Sequence, residues 1–311
     1  MMVSYIGNGA YCYANSTAML LESIGERISP SVIEVLTGVG FGAVWEESQQ
    51  AAWFNGDHTP DAGIDNALKL LGFTAVGSPP LSEEDGAPLA ALREALSQGP
   101  VVIGPLDMGM LTYNPNHSYL GGCDHYVLAH RMDDQFIYIH DPGGYPHVKL
   151  SHASLIEAWK AENIQWKRRP YRMWAQPTRI NHPSLQEIRE QAMKYYRNLY
   201  SRTIEWAARN GRIVNAAAIR VFADAVSKGD MTPDSIGNMK HFLFQLGARR
   251  AMDTADFLKD FAPALSELKA RQAVVFGECH THAAHEDWSM LSQALNRLAA
   301  IEEEIVEELL R

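Results

Sequence analysis

Between Gln176 and Ser184 the chain changes character, and this change restricts it to a two-part architecture. Upstream, short β-rich runs alternate with helical stretches. They are punctuated by Gly40-Phe41-Gly42, Ser78-Pro79-Pro80-Leu81, Gly99-Pro100 and Asp141-Pro142-Gly143-Gly144, turn signals that belong to an α+β domain. Downstream almost everything has helical periodicity. Ser184 and Glu187 have the spacing at which serine and glutamate reciprocally satisfy the first amides of a helix. Thr232-Pro233-Asp234 supplies a capping hydroxyl and a proline for a first helical turn. Trp288, Leu291, Leu295 and Leu298, then Ile301, Ile305 and Leu309, mark the apolar stripe of a final helix. The expected organisation is an α+β domain over residues 1–178, a linker containing Asn181-His182-Pro183, and a bundle of four or five helices over residues 183–311.

With 46% hydrophobic residues, the chain has enough apolar surface to build real cores. Its 27 basic and 37 acidic residues leave a net charge of −10, a field that repels a phosphate backbone, so nucleic acid is not an expected partner. No apolar run approaches the ~18 residues of a membrane span. The stretch Met1–Ala10 has neither the basic region nor the apolar core of an export signal. Three scattered cysteines, at 12, 123 and 279, suit a reducing compartment better than a disulfide framework. A soluble, cytoplasmic protein with no membrane association is expected.

Cys12 follows the glycine-containing loop Gly7-Asn8-Gly9-Ala10-Tyr11 and opens a helical stretch running to Ile24. There Ala14, Ala18 and Leu21 share one face while Leu20 and Ile24 form a second apolar stripe. A thiol in the first turn of a buried helix sits where unpaired amides and the macrodipole favour the thiolate. Most unbridged cysteines are instead small buried hydrophobes, and the helix by itself does not separate the two readings. The segment from Asp124 to Asp141 has the pattern of a β-hairpin. If Arg131 faces Gln135, then Ala129 faces Ile137, Val127 faces Ile139, and His125 falls opposite Asp141. A one-residue slip would put the imidazole and the carboxylate on opposite faces. In the paired register the carboxylate orients one ring nitrogen and leaves the other for a thiol, so Cys12, His125 and Asp141 are the candidate catalytic residues.

The same residues carry a family resemblance. Tyr11-Cys12-Tyr13, Met19 to Gly25, Leu36-Thr37-Gly38, Gly40-Phe41-Gly42, Gly99 to Asp107, Asp124 to Val127 and His140-Asp141-Pro142 together resemble the N-terminal domain of the butirosin biosynthesis protein H family, which is related to the C39-like cysteine peptidases. Gly247-Ala248-Arg249-Arg250 and Asp256-Phe257-Leu258 are similar to the helical domain that commonly follows it. The resemblance implies a papain-like N-terminal domain and acyl transfer through an acyl-enzyme from a thioester or amide, a carrier-bound thioester in the namesake. Water as acceptor would make the protein a peptidase or amidohydrolase, and loss of activity would leave a papain-like binding module. Papain-like enzymes generally place a glutamine before the cysteine as oxyanion donor. None precedes Cys12, and Asn8 is the nearest amide side chain, with the Cys12 backbone N–H as second donor.

Asp107, Tyr113 and His117 lie in the loop-rich stretch before the hairpin and are candidate substrate-binding residues. Arg249 and Arg250 are either a solvated helix face or a grip for an acidic carrier. Cys279, His280, His282 and His285 form a dense group of ligand types. Structural zinc normally draws its ligands from two separated segments, so a polar loop between helices is expected there, with neither metal nor cofactor. The amphipathic last helix, with its acidic run Glu302–Glu304 and Glu307–Glu308, is read as a solvated bundle helix and a candidate for homodimerisation.

Overall fold

A computed structural model describes residues 3–7, 10–56, 58–77, 86–164 and 169–311. In chain order the elements are α1 (Cys12–Glu22), α2 (Pro30–Thr37), β1 (Val44–Glu46), β2 (Ala51–Trp53), α3 (Pro60–Leu70), β3 (Phe73–Gly77), α4 (Ala87–Gln98), β4 (Val101–Asp107), β5 (Asp124–Met132), β6 (Phe136–Asp141), β7 (Tyr145–Ser151), α5 (His152–Lys160) and β8 (Met173–Arg179). Helices α6 (Leu185–Asn210), α7 (Asn215–Lys228), α8 (Pro233–Asn238), α9 (Phe244–Leu258), α10 (Pro263–Ala284) and α11 (Trp288–Leu310) complete the chain. The protein is mixed α/β with a helical C-terminal region.

Two compact units emerge, one from Met1–Ile33 with Ile64–His182, the other from Glu34–Gly63 with Pro183–Arg311. In the first, six antiparallel strands lie in the order β3-β8-β4-β5-β6-β7. Val101, Ile103, Val127, Ala129, Ile137 and Ile139 form a core with Leu92 of α4 and with Leu155 and Trp159 of α5. α1 lies against β5, where the Ser16 hydroxyl donates to the Tyr126 carbonyl at 3.1 Å and the Tyr13 and Tyr126 rings meet edge-on at 5.8 Å. Every residue of α1 from Tyr13 to Leu21 is buried. A helix buried on all sides belongs inside a core, its polar Asn15, Ser16 and Thr17 each hydrogen-bonded to a backbone carbonyl, and each fully buried leucine here contributes about 1.5–3 kcal/mol. The second stripe expected on this helix is shorter than its sequence pattern, because the helix ends at Glu22 and Ile24 lies beyond it, 45% exposed.

The segment 34–63, read from sequence as part of the first domain, instead joins the helical unit. A two-stranded ribbon such as β1–β2 cannot hold itself together and needs an external core. It finds one through Phe41, stacked 4.1 Å from Tyr196, and Phe54, edge-on 4.8 Å from Phe276. The predicted helix starts form as read. Ser184 and Glu187 make a reciprocal capping box, and the Thr232 hydroxyl accepts from the Ser235 amide. Glu302 departs from its reading as a solvated residue. It is buried, accepting from the Tyr200 hydroxyl at 2.6 Å and the Gln272 side chain at 3.1 Å, while buried Lys269 donates to Gln272 at 2.6 Å. Its neighbours Glu303 and Glu304 pair with Arg220 and Arg271.

Candidate functional site

Cys12 is the first residue of α1 and is half-buried. The preceding residue, Tyr11, is held at φ 59°, ψ 44°, a left-handed conformation that a bulky side chain adopts only under constraint. Asn15, one turn into the helix, supplies part of that constraint, its side-chain amide donating to the Ala10 carbonyl at 2.6 Å. The Tyr11 side chain makes no capping hydrogen bond and no acidic residue lies in the first turn of α1, so the N-terminal amides of the helix direct their field at the thiol.

The hairpin β5–β6 forms, with a register two residues away from the expected one. Ala129 faces Ile139 and Leu128 faces His140, and the strands close on Met132 opposite Ile137. Continuing that register sets Asp141 opposite Val127, so His125 meets it on the diagonal. A two-residue difference preserves side-chain parity, and His125 Nε2 lies 2.6 Å from Asp141 Oδ1. Parity survives because His130 is an extra residue on β5, with Ala129 and Arg131 facing the consecutive Ile139 and Tyr138. The loop itself is fixed by Asp133, whose carboxylate accepts from the amides of Gln135 and Phe136 at 2.9 and 2.8 Å.

Asp141 is 1% exposed and His125 6%. Besides the imidazole, the carboxylate accepts from the Gly143 amide at 2.6 Å and the Tyr113 hydroxyl at 2.7 Å. The Asp141 carbonyl accepts from the Tyr5 hydroxyl at 3.0 Å. Gly7 is required beside this contact, since a Cβ there would fall 2.1 Å from the Tyr5 oxygen. With Nε2 engaged by Asp141, Nδ1 is the ring nitrogen left for a thiol, and Cys12 acts on the ring in the sense that favours its charged form. Burial disfavours the imidazolium, but the charge and hydrogen bond of Asp141, together with Cys12, outweigh it and hold His125 well above the ordinary histidine value. Burial likewise opposes ionisation of Asp141, and the His125 charge and hydrogen bond, with Tyr113 and Gly143, bring it below the usual carboxylate range.

The other sequence candidates separate. Tyr113 belongs to the cluster through Asp141, and burial first, then the Asp141 charge, raises its phenol well above the ordinary value. Asp107 is committed to its own loops: Oδ1 accepts from the amides of Gly109 and Gly122 at 2.9 and 3.0 Å, Oδ2 from the Asn163 side chain at 2.8 Å. At 1% exposure its carboxylate braces these loops. His117 meets the Gly109 carbonyl through Nδ1 at 2.8 Å. Asn8 lies outside the described residues. Arg250 is bound to buried Glu34 at 2.7 Å, and Arg249 lies 3.8 Å from Asp253. Cys279, His280 and His282 are within α10 and His285 caps it, so the expected loop is helix. Cys279 is fully buried, and burial pushes its thiol up to about 12. Tyr5 and Asn15 escape sequence reasoning because tyrosine near a chain start and asparagine in an apolar helix carry no motif.

The chain joins a mixed α/β unit, which carries Cys12 at a helix start and the His125–Asp141 pair, to a helical unit. Residues 209–310 match the family model of the YobF C-terminal domain. The uncharacterized protein YobF of Bacillus subtilis (strain 168) is 43% identical over 310 residues, covering 100% of this chain and 99% of that protein. The chain belongs to the YobF family.

Proposed function

We propose that this chain is a cysteine-nucleophile acyltransferase whose α/β unit is of the papain-like, C39-like class that the butirosin biosynthesis protein H family represents. The observation that carries the reading is the buried His125–Asp141 pair, in a unit whose α1 opens on Cys12, a residue that favours the charged His125 ring as Asp141 does. In the proposed reaction Cys12 Sγ, as thiolate beside imidazolium His125, attacks the carbonyl of a thioester. The S–C bond forms, the leaving thiolate takes the His125 proton, and Cys12 carries the acyl group. An amine acceptor then attacks the acyl-enzyme, gives its proton to His125 and releases the Cys12 thiolate. Asp141 holds the ring through both steps, and the Cys12 amide at the start of α1 is a donor to the oxyanion.

The acyl donor is a small molecule or a carrier-bound thioester. Cytoplasmic residence fits three unbridged cysteines, and among the described residues no helix is long and apolar enough to cross a membrane. The first test is limiting iodoacetamide at near-neutral pH with peptide mass spectrometry. Cys12 is expected to react far faster than exposed Cys123 and buried Cys279, and to lose that advantage in His125→Ala. An inert Cys12, indifferent to His125, would reduce the unit to a binding module. Given a reactive thiol, acyl thioesters with and without an amine acceptor separate transfer from hydrolysis.

A further inference from the structure

The register irregularities of the β5–β6–β7 segment gather three histidines. His130 is the extra residue on β5. On β6 and β7, Ile139 faces Val148 and Asp141 faces Tyr145, so His140 is matched by two residues, Pro146 and His147. Bulges re-aim side chains, and these two bring one ring nitrogen from each of His130, His140 and His147 within 4.8 Å of one another. Ring centroids are 4.6 Å apart for His130–His140, 4.3 Å for His140–His147 and 5.3 Å for His130–His147. It is the one such group of potential metal ligands among the described residues.

From this geometry we infer a binding site for a divalent cation of the zinc type, with His130, His140 and His147 as its three protein ligands. Three observations support it. His130 Nε2 is buried without a hydrogen-bond partner, a cost that a ligand would remove. His140 Nε2 lies 3.1 Å from the Val3 carbonyl, which can only accept, so Nε2 carries the proton and Nδ1 the lone pair. A backbone carbonyl fixing the tautomer from behind is the usual outer partner of a metal-bound imidazole. His147 has φ 55°, a left-handed conformation for a branched-ring side chain, of the kind that concentrates at binding sites.

His140 is buried and His147 exposed, so an ion approaches from the His147 side. Binding has a local cost: the His147 amide now donates to His140 Nδ1 at 3.1 Å and must give way. Nitrogen ligands at ~2.0–2.1 Å from zinc also require the rings to close in slightly from their present spacing. Three imidazoles suit Zn2+, Cu2+ and Ni2+ and disfavour Ca2+ and Mg2+, which take oxygen ligands. The site is separate from the proposed acyl-transfer chemistry and does not rest on it.

The test is Zn2+ titration of the full chain, expressed without a histidine tag, followed by calorimetry and by metal analysis after gel filtration. One equivalent is expected to bind, His147→Ala is expected to weaken binding at least about tenfold, and Zn2+ is expected to raise the thermal midpoint of the parent protein and not that of His147→Ala. His147 is exposed, so its alanine variant keeps the fold, which circular dichroism verifies; Cys12→Ala and His282→Ala are expected to bind as the parent does. Co2+ in place of Zn2+ should give visible bands that His147→Ala removes. Failure to retain zinc after gel filtration, or retention that survives His147→Ala and disappears in Cys12→Ala or His282→Ala, would overturn the site.

Discussion

Replacing Asp141 by asparagine is the sharpest perturbation of the Cys12–His125 pair, because it changes charge at nearly constant shape. The carboxylate accepts three hydrogen bonds, from His125, Gly143 and Tyr113. An asparagine keeps its carbonyl oxygen toward His125 and Gly143 and turns its amide toward the Tyr113 oxygen, which accepts instead of donating. Lost is the anion beside the imidazolium, in a site where both partners are almost fully buried. At about 4 Å between charge centres and an effective dielectric near 20 that attraction is about 4 kcal/mol. The amide dipole recovers part of it, leaving a deficit of about 2–4 kcal/mol, so the thiolate–imidazolium population falls roughly 30- to 1,000-fold. The assay is the pH profile of Cys12 alkylation, with Cys123 as internal reference. The parent should show fast Cys12 alkylation at near-neutral pH, with Asp141→Asn slower in the stated range. Superimposable profiles would refute the reasoning, since they would mean that the carboxylate does not stabilise the charged pair.

Tyr113→Phe removes one hydrogen bond to the same buried carboxylate, about 1.5–3 kcal/mol, which lowers the thermal midpoint by about 3–12 °C; combined with Asp141→Asn the losses should be less than additive, as a double-mutant cycle would show. Asp107→Ala strands the amides of Gly109 and Gly122 and the Asn163 side chain, destabilising by roughly 3–5 kcal/mol in urea unfolding while the Cys12 alkylation rate stays at the parent value. Lys269 is lowered from 10.5 to about 8 by burial, against the opposing charge of Glu302. Between those two values the unfolded chain binds a proton that the folded lysine has released, so stability rises with pH there by about 2–3 kcal/mol, a gain that Lys269→Met lacks in unfolding curves taken across the window.

The parts of the structure legible in the sequence are those whose signals are local. The capping box at Ser184, the Thr232-Pro233 start and the hairpin around Asp133 each depend on residues within a few positions, and each forms. Segment 34–63 was not legible as part of the helical unit because its short strands find their core through Tyr196 and Phe276, far along the chain. The burial of Glu302 was hidden for the same reason. An acidic run looks solvated until Lys269, Gln272 and Tyr200 are known to converge on it. The role of Asp107 is equally hard to read from sequence, because carboxylates in loops resemble binding residues, and only the positions of Gly109, Gly122 and Asn163 reveal the three donors it accepts from.

His130 joins these threads. Met132 faces Ile137 at the hairpin end, and carried unbroken toward the open end that pairing has odd offset relative to the one that aligns His125 with Asp141. Without an extra residue, the alternation that places Val127 and Ala129 in the core would put the imidazole and the carboxylate on opposite faces. The bulge at His130 restores the offset, and the same displaced residue turns its own ring toward His140 and His147. One inserted position therefore sets both the contact that supports Cys12 and the histidine cluster one strand over. Deleting His130 should consequently abolish the preferential alkylation of Cys12 and the retention of zinc together, whereas His130→Ala, which keeps the backbone bulge, should spare the first and lose only the second. If the deletion variant folds and still shows fast, His125-dependent alkylation of Cys12, the parity argument fails.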